Sequence, residues 1–475
     1  MKREIRIGLV VLVTIGLLSL GGAWLGQSRV VSPSPEKVYI VAWASGSPVD
    51  ATRALNLVSA EGKLNEELKA EESPYKVYVD ATFTHVWDWE AYRRKFILAC
   101  EAKEAPHIWT GGHEEVAWMA AADYIISLDD YIAKYREKYE LDDIYEALWE
   151  AGKWKGLVWC FPQDTEARPV YFRKDILRAI GWSEEEIEAL PQKVLAGEFT
   201  LDDMIAVAKE ALEKKPKSVD GFDLEWGVFH RPSPGGYFHM ITMAYGGQLQ
   251  DPETGKLVLD KDAMLKNLEF HAKLVTEGIT PPDMTLWSWR TIHKYVVEGR
   301  VLFWFGGTWH WAEWQRVAYH EILGGLPEEY EWENIGFMLV PAPVKGGKPI
   351  TQSHPFCYML MSDKCVKEPY PELAFRLVAH TAQLELTEKH AMESGHLTIR
   401  KTISPEYEAW AFGAAATPML EYTTTLPNHE LWPIYHRVVY DAIVAVETGE
   451  MTPTDALAWL EDELVRELGD EVIVR

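Results

Sequence analysis

Two hydrophobic periodicities alternate along the chain. From Val38 to Trp43 a short run rich in β-formers predicts a strand, closed by the turn residues Ser45, Gly46, Ser47 and Pro48. Val77 to Thr82 predicts a second strand. Between it and the third lies a helix over Asp88 to Cys100, because Trp89, Tyr92, Phe96 and Ala99 fall on one face. Ile108 and Trp109 then close a third short strand at Gly111 and Gly112. Strand, helix, strand with glycine-rich exits predicts a parallel sheet, and such sheets take ligands beyond the carboxyl ends of their strands. The middle of the chain is richer in helices. Thr200 and Asp203 make a capping pair ahead of the stripe Leu201, Met204, Ile205, Ala208 and Leu212. Leu373, Ala374, Leu377, Val378 and Thr381 repeat the spacing. Thr452 and Pro453 start a last helix carrying Ala456, Leu457, Leu460 and Leu464. No internal repeat interrupts this pattern. It describes a mixed α/β chain of two lobes.

The head of the chain follows another rule. Lys2, Arg3 and Arg6 precede 19 uncharged residues from Ile7 to Leu25, and Ser32, Pro33, Ser34 and Pro35 form an extended linker. The run reads as a cleaved export signal or a membrane anchor. Gly21 and Ala23 suit cleavage, the length suits a span, and no cysteine follows to take a lipid. Residues 1–36 are therefore set apart from the fold. With 47 Lys and Arg against 73 Asp and Glu, the chain carries −26; without its head, 43 basic against 71 acidic residues leave −28. That balance repels phosphate backbones and excludes nucleic acid as a partner. A hydrophobic share of 47% over 475 residues excludes disorder and provides for more than one core.

Motif chemistry is mostly absent. Cys100, Cys160, Cys357 and Cys365 show neither CxxC nor zinc spacing, so no metal or other cofactor is expected. Buried free thiols are the expectation for the cysteines, with Cys357–Cys365 the one pairing considered. His-Glu occurs at His113, His320 and His429 without a second histidine four positions after the first. No phosphate loop, nucleophile elbow or dinucleotide fingerprint is present. Tryptophan is the exception, with 21 copies. Trp43, Trp87, Trp109, Trp159, Trp304, Trp309, Trp311 and Trp432 lie near predicted strand ends, turns or helix starts. Most such indoles fill cores, yet indole faces among carboxylates also suit a neutral polyhydroxylated ligand.

Several segments together resemble the family 1 extracellular solute-binding proteins of ABC importers, the maltose-binding-like carbohydrate group. Gly152-Lys153-Trp154-Lys155-Gly156 through Phe161-Pro162, Tyr171-Phe172-Arg173-Lys174-Asp175 and Phe199-Thr200-Leu201-Asp202-Asp203 stand in the family's order. Glu298-Gly299-Arg300, Gly306-Gly307-Thr308-Trp309, Val340-Pro341-Ala342-Pro343 and Glu450-Met451-Thr452-Pro453 follow. Each motif is short and degenerate; their order and spacing carry the likeness, which runs from Val38 to the end. Leu201 departs from it by standing where the family usually has tryptophan.

The resemblance implies a type II-like periplasmic-binding fold, two α/β lobes closing on sugar about a hinge of two or three strands. Crossings are expected near Gln163 to Ala167 and Leu339 to Pro341. The lobes would then be 37–165 with 340–395, and 166–339 with 396–475. It further implies a binding protein rather than an enzyme, with ABC permease subunits as partners, acting as an extracytoplasmic monomer. By position, Ser45, Gly46, Gly112, His113 and Glu114 belong to first-lobe loops. Glu166 stands at the crossing, Gly236 and Tyr237 on a second-lobe loop, Trp309 as the main stacking face, and His354 and Trp432 at later positions. For each, packing or surface pairing is the competing role; Asp164, Glu166 and Arg168 can simply pair at the surface. A secreted polysaccharide-active enzyme and a membrane-tethered sugar sensor are the alternative functions.

Overall fold

The computed structural model describes residues 35–86 and 88–475. The N-terminal apolar run and Trp87 lie outside them. Among the described residues no helix is long and apolar enough to cross a membrane.

Eleven strands position the site. The first part of the chain supplies β1 (Glu36–Gly46), β2 (Tyr75–His85), β3 (Ile108–Gly112) and β4 (Phe161–Pro162). A second set follows: β5 (Val170–Arg173), β6 (Trp226–Phe229), β7 (Val301–Phe305) and β8 (Ile335–Met338). Then come the short β9 (Thr351–Gln352), β10 (Phe356–Leu360), which rejoins the first set, and β11 (Thr423–Thr424), which pairs with β9. The first sheet runs β2-β1-β3-β10-β4 and the second β8-β5-β7-β6. The three predicted strands are parallel, β2 and β3 flanking β1, but β10 returns antiparallel to β3, so the sheet is mixed rather than wholly parallel.

The central strands β10 and β5 are buried on both faces, and the period of two shows how; the edge strand β2 is only partly buried. In β10, Cys357 and Met359 enter one hydrophobic cluster while Tyr358 and Leu360 enter another. In β5, Val170 and Phe172 face one core and Tyr171 the other. Among the described residues nine helices matter to the faces, and three of them start at side-chain caps. They are α1 (Thr52–Ala70), α2 (Trp89–Glu101), α3 (Leu201–Lys214), α4 (Tyr237–Ala244) and α5 (Trp309–Arg316). The later ones are α6 (Pro371–Thr381), α7 (Leu384–Ser394), α8 (Trp432–Glu447) and α9 (Pro453–Leu468). Asp88 caps α2, Thr200 and Asp203 form a reciprocal capping box on α3, and Thr452 caps α9 ahead of Pro453.

The crossings differ in part from expectation. Gln163 to Pro169 joins β4 to β5. The other strand connection stays with the second lobe longer than Leu339 to Pro341, because Val340 belongs to its core and bridges Ile350 in both directions of hydrogen bonding. The chain reaches the first sheet only at Phe356. Thr165 bridges Leu397; Leu397 joins the second lobe's core and Ile399 the first lobe's, so this stretch also runs along the seam.

The cysteine expectation is corrected. Cys100, at the end of α2, forms a disulfide with Cys365, which follows β10. Spacing gave no cue because the pair is 265 residues apart and is brought together only by the return of β10 beside β3. Cys160 and Cys357 stay buried as thiols, and burial pushes the Cys357 thiol well above its ordinary value.

Candidate functional site

Register decides what meets at the seam. Gly112 lies opposite Phe356, so the β3 exit, the β1 exit at Ser45 and Gly46, and the approach to β10 through His354 share one edge. On the second sheet Phe305 lies opposite Val170 and Phe229 leaves from the parallel neighbour, so Arg168, His230, Arg231, Gly306 and Trp309 share the edge that faces it.

On the first edge, polar groups mostly satisfy one another. The Ser45 hydroxyl donates to the Thr110 carbonyl at 3.1 Å, and its backbone N–H donates to Thr110 Oγ1 at 2.9 Å. Gly46 has φ +153° and packs against Asp50 and Arg53 where a Cβ would stand. A Cβ at Gly112 would strike the Glu114 carboxylate and the His354 ring, which hydrogen-bond each other across that space. Burial opposes ionisation of Glu114, but His354 and then His113 outweigh it and hold the carboxyl low. His113 is fully buried; its Nε2–H donates to the Leu426 carbonyl of the other lobe at 3.1 Å, leaving Nδ1 without a partner. Burial pushes its pKa down to about 4, so the ring is neutral at neutral pH.

Behind this edge lies a charged knot in which Asp164, Glu166 and Arg168, grouped from the sequence, are joined by Arg53, His390 and His396, which were not. Asp164 accepts from Arg53 Nη2 at 2.7 Å and Nε at 3.0 Å, and from His390 Nε2 at 2.8 Å. Glu166 pairs with Arg168 Nη2 at 2.7 Å and lies 3.6 Å from His396 Nε2. Both carboxylates are buried rather than paired at the surface, and despite burial their cationic neighbours hold them low. His396 is pushed up, burial being outweighed by Asp164, Asp50 and Glu166.

The second edge is aromatic and cationic. Trp309 stacks on His396 at 5.7 Å and 11°, and the Arg168 guanidinium lies 5.2 Å above it. Tyr237 stacks on His230 at 5.2 Å and 8° and packs on Phe305, its hydroxyl buried without a partner. Gly236 presses on the Gln352 side chain, whose Oε1 and Nε2 are both buried and unpartnered. Trp432 is placed differently from the rest. It is 2% exposed, stacked on Tyr435 and packed on His239 in the second lobe's core.

Within the second edge, Arg168, Arg231, Tyr237, Trp289, Trp304 and Trp309 are among the walls of a cavity of about 20 Å³. That holds a water-sized body but no sugar ring. Sequence reasoning missed Arg231 and Trp289. Arg231 follows the exit of β6, and the strand-end rule would have found it once Trp226 to Phe229 was read as a strand.

Four groups bring histidines and carboxylates within metal-ligating reach: His113, Glu114 and His354; Asp164, His390 and His396; His230, His271 and Glu447; and His293, His310 and Glu313. Protein partners account for much of this convergence. His354 Nδ1 accepts from Arg168 at 3.2 Å, and His310 Nδ1 from the Gly307 N–H at 3.0 Å. Glu447 Oε1 lies 2.8 Å from His230 Nε2 and 2.5 Å from His271 Nδ1.

The fold and this seam agree with what the chain is similar to. The family model of bacterial extracellular solute-binding proteins matches residues 61–352, more than half of the chain, and the chain belongs to that family. Membership implies an extracytoplasmic location, and the family is one of binding proteins. Its two-lobed fold is shared with solved structures. The GacH receptor of Streptomyces glaucescens, solved unliganded and with acarbose, aligns with TM-score 0.70 and 16% identity over 91% of this chain and 98% of that one. A solute-binding protein from Thermotoga lettingae bound with α-D-tagatose gives 0.70 and 15% over 91% and 100%. One from Agrobacterium radiobacter K84 in complex with ribitol gives 0.66 and 18% over 90% and 98%. No curated protein matches the chain in sequence.

Proposed function

We propose that this chain is the substrate receptor of an ABC importer, capturing a carbohydrate or polyol between its lobes and handing it to the permease subunits as a monomer. One observation carries the reading. Buried polar atoms without partners, His113 Nδ1, Arg168 Nε, Tyr237 Oη and both amide atoms of Gln352, gather along one seam with the indoles of Trp289, Trp304 and Trp309. Each such atom costs about 1–3 kcal/mol while unsatisfied. The set mixes donors with acceptors, and a sugar hydroxyl does both, while its C–H faces lie on indole. The family and the ligands named for its structural neighbours support the same class. Among the residues expected from the sequence, Gly112, His113, Glu114, Glu166, Gly236, Tyr237, Trp309 and His354 form or support the seam in this reading. Ser45 and Gly46 shape its floor, and Trp432 acts from behind.

Calorimetry against mono- and oligosaccharides, polyols and peptides tests the proposal. The expected result is binding of a sugar or polyol with Kd around micromolar or tighter. Silence from all of them beside binding of a peptide overturns it. Small-angle scattering should show compaction with the bound ligand, and the permease encoded nearby should be stimulated by the loaded protein alone.

A further inference from the structure

The acidic surface favours a neutral ligand, yet the cavity in the second edge has the opposite sign. Arg168 and Arg231 both line it with indoles, and no carboxylate does. Arg168 is 8% exposed, and Glu166 neutralises it from one side at 2.7 Å while its Nε stays buried and unpartnered. Arg231 has no such counterion. Its Nε donates to the Ser233 carbonyl at 2.7 Å and its Nη2 lies 3.4 Å from Ser233 Oγ. Among the described residues no carboxylate comes within ion-pair distance of it, and Nη1 has no partner. Its guanidinium lies 5.5 Å from the Trp289 ring centroid, one of the indoles proposed to hold sugar. Burial, and after it the neighbouring Arg168, push the pKa of Arg231 down to about 9, and the more distant Tyr440, Glu166 and Glu114 do not offset them.

Resting on the carbohydrate reading above, we infer that the ligand carries a carboxylate: the seam is built for a uronic acid or an oligosaccharide containing one, with the carboxylate on Arg231 and the free Nε of Arg168 and the ring on Trp289 or Trp309. Charge balance selects the carboxylate. With Glu166 already set against Arg168, one positive charge remains, and a carboxylate supplies one negative charge where a phosphate monoester brings nearly two. The planar fork of a guanidinium matches two carboxylate oxygens, and a half-buried arginine has less hydration left to lose on binding than an exposed one.

Calorimetry on the full chain, at fixed ionic strength, compares glucuronate, galacturonate and their oligomers with glucose, galactose and their oligomers, and with glucose 6-phosphate. A uronide should bind about tenfold or more tighter than its neutral counterpart, the size of a charge-assisted hydrogen bond. Its Kd should weaken as salt is added. Arg231→Met should abolish the preference, and Arg231→Lys, which keeps the charge but loses the fork, should retain part of it; melting temperatures check that both variants fold. Equal or tighter binding of the neutral sugar, or a preference untouched in Arg231→Met, overturns the inference and leaves the carbohydrate reading standing. Tighter binding of the sugar phosphate overturns the carboxylate assignment alone. Silence from the whole panel overturns the uronide inference, and the broader calorimetry with polyols, other sugars and peptides then decides the carbohydrate reading.

Discussion

The two edges that meet at the seam have similar residue types and opposite bookkeeping of polar contacts. On the first, Arg53, Asp164, His390, Glu114 and His354 are bonded to one another. On the second, Arg168, Tyr237 and Gln352 hold groups that no protein atom satisfies. The first edge pairs most of its charged groups internally, leaving His113 Nδ1 open, and the second leaves Arg168 Nε, Tyr237 Oη and the Gln352 amide open. A residue's chemistry therefore does not mark it as a contact for ligand; what matters is whether its neighbours have already consumed it.

The largest effect that would test this contrast is on stability at the first edge. Arg53→Met should cost about 3–5 kcal/mol in denaturant unfolding, since it strands the Asp164 carboxylate, itself fully buried. A cost below about 1 kcal/mol, in the surface-pair range, would mean that the edge is wetter than described. Replacing Cys100 and Cys365 together with alanine should cost about 2–4 kcal/mol, again with the first lobe as the site of damage. At the second edge the readout changes from stability to affinity. Trp309→Ala should weaken sugar binding about tenfold or more without unfolding the protein, and an unchanged Kd removes Trp309 from the seam.

Acid should separate the edges less sharply. The pKa of His113 is pushed down to about 4, and those of His293 and His436 to about 3, burial being the main cause for each. Because the unfolded chain takes up protons first, the stability these rings contribute is present above about pH 6.5 and is lost as pH falls through 4 and then 3. Glu313 opposes this, since burial pushes it up to about 7 and its neutral form gains below that. Melting temperature followed from pH 7 to 3 should fall, and His113→Asn should reduce the slope. The smallest effect is a control away from both edges: Thr200→Ala removes half of a capping box and should cost about 1 kcal/mol with no change in affinity.

Much of the fold could be read locally. The capping pair at Thr200 and Asp203, the helix behind Asp88 and the three opening strands depend on neighbours within a few residues, and the structure has them. The lobe architecture came through the order of family landmarks rather than from any single pattern. What stayed hidden depends on long-range register. The antiparallel return of β10 brings Cys365 to Cys100 and His354 to Glu114, and neither pairing has a periodic cue. Asp164 and Arg53 were invisible as a pair for the same reason. Trp432 shows the converse: a tryptophan ahead of a proline looked like a stacking face, and its surroundings make it core. Arg231 went unremarked because being without a counterion is a property of the neighbourhood, not of the residue.

The bond between Cys100 and Cys365 also has a mechanical meaning. It short-circuits 265 residues, which include every strand of the second sheet. Tension applied at Glu36 and Arg475 would pass through the two sulfurs and leave that loop unloaded. At about 3.5 Å per residue, roughly 900 Å of contour length is withheld from an oxidised chain and released on reduction. Single-molecule stretching with and without reductant should report that difference as a change in final extension.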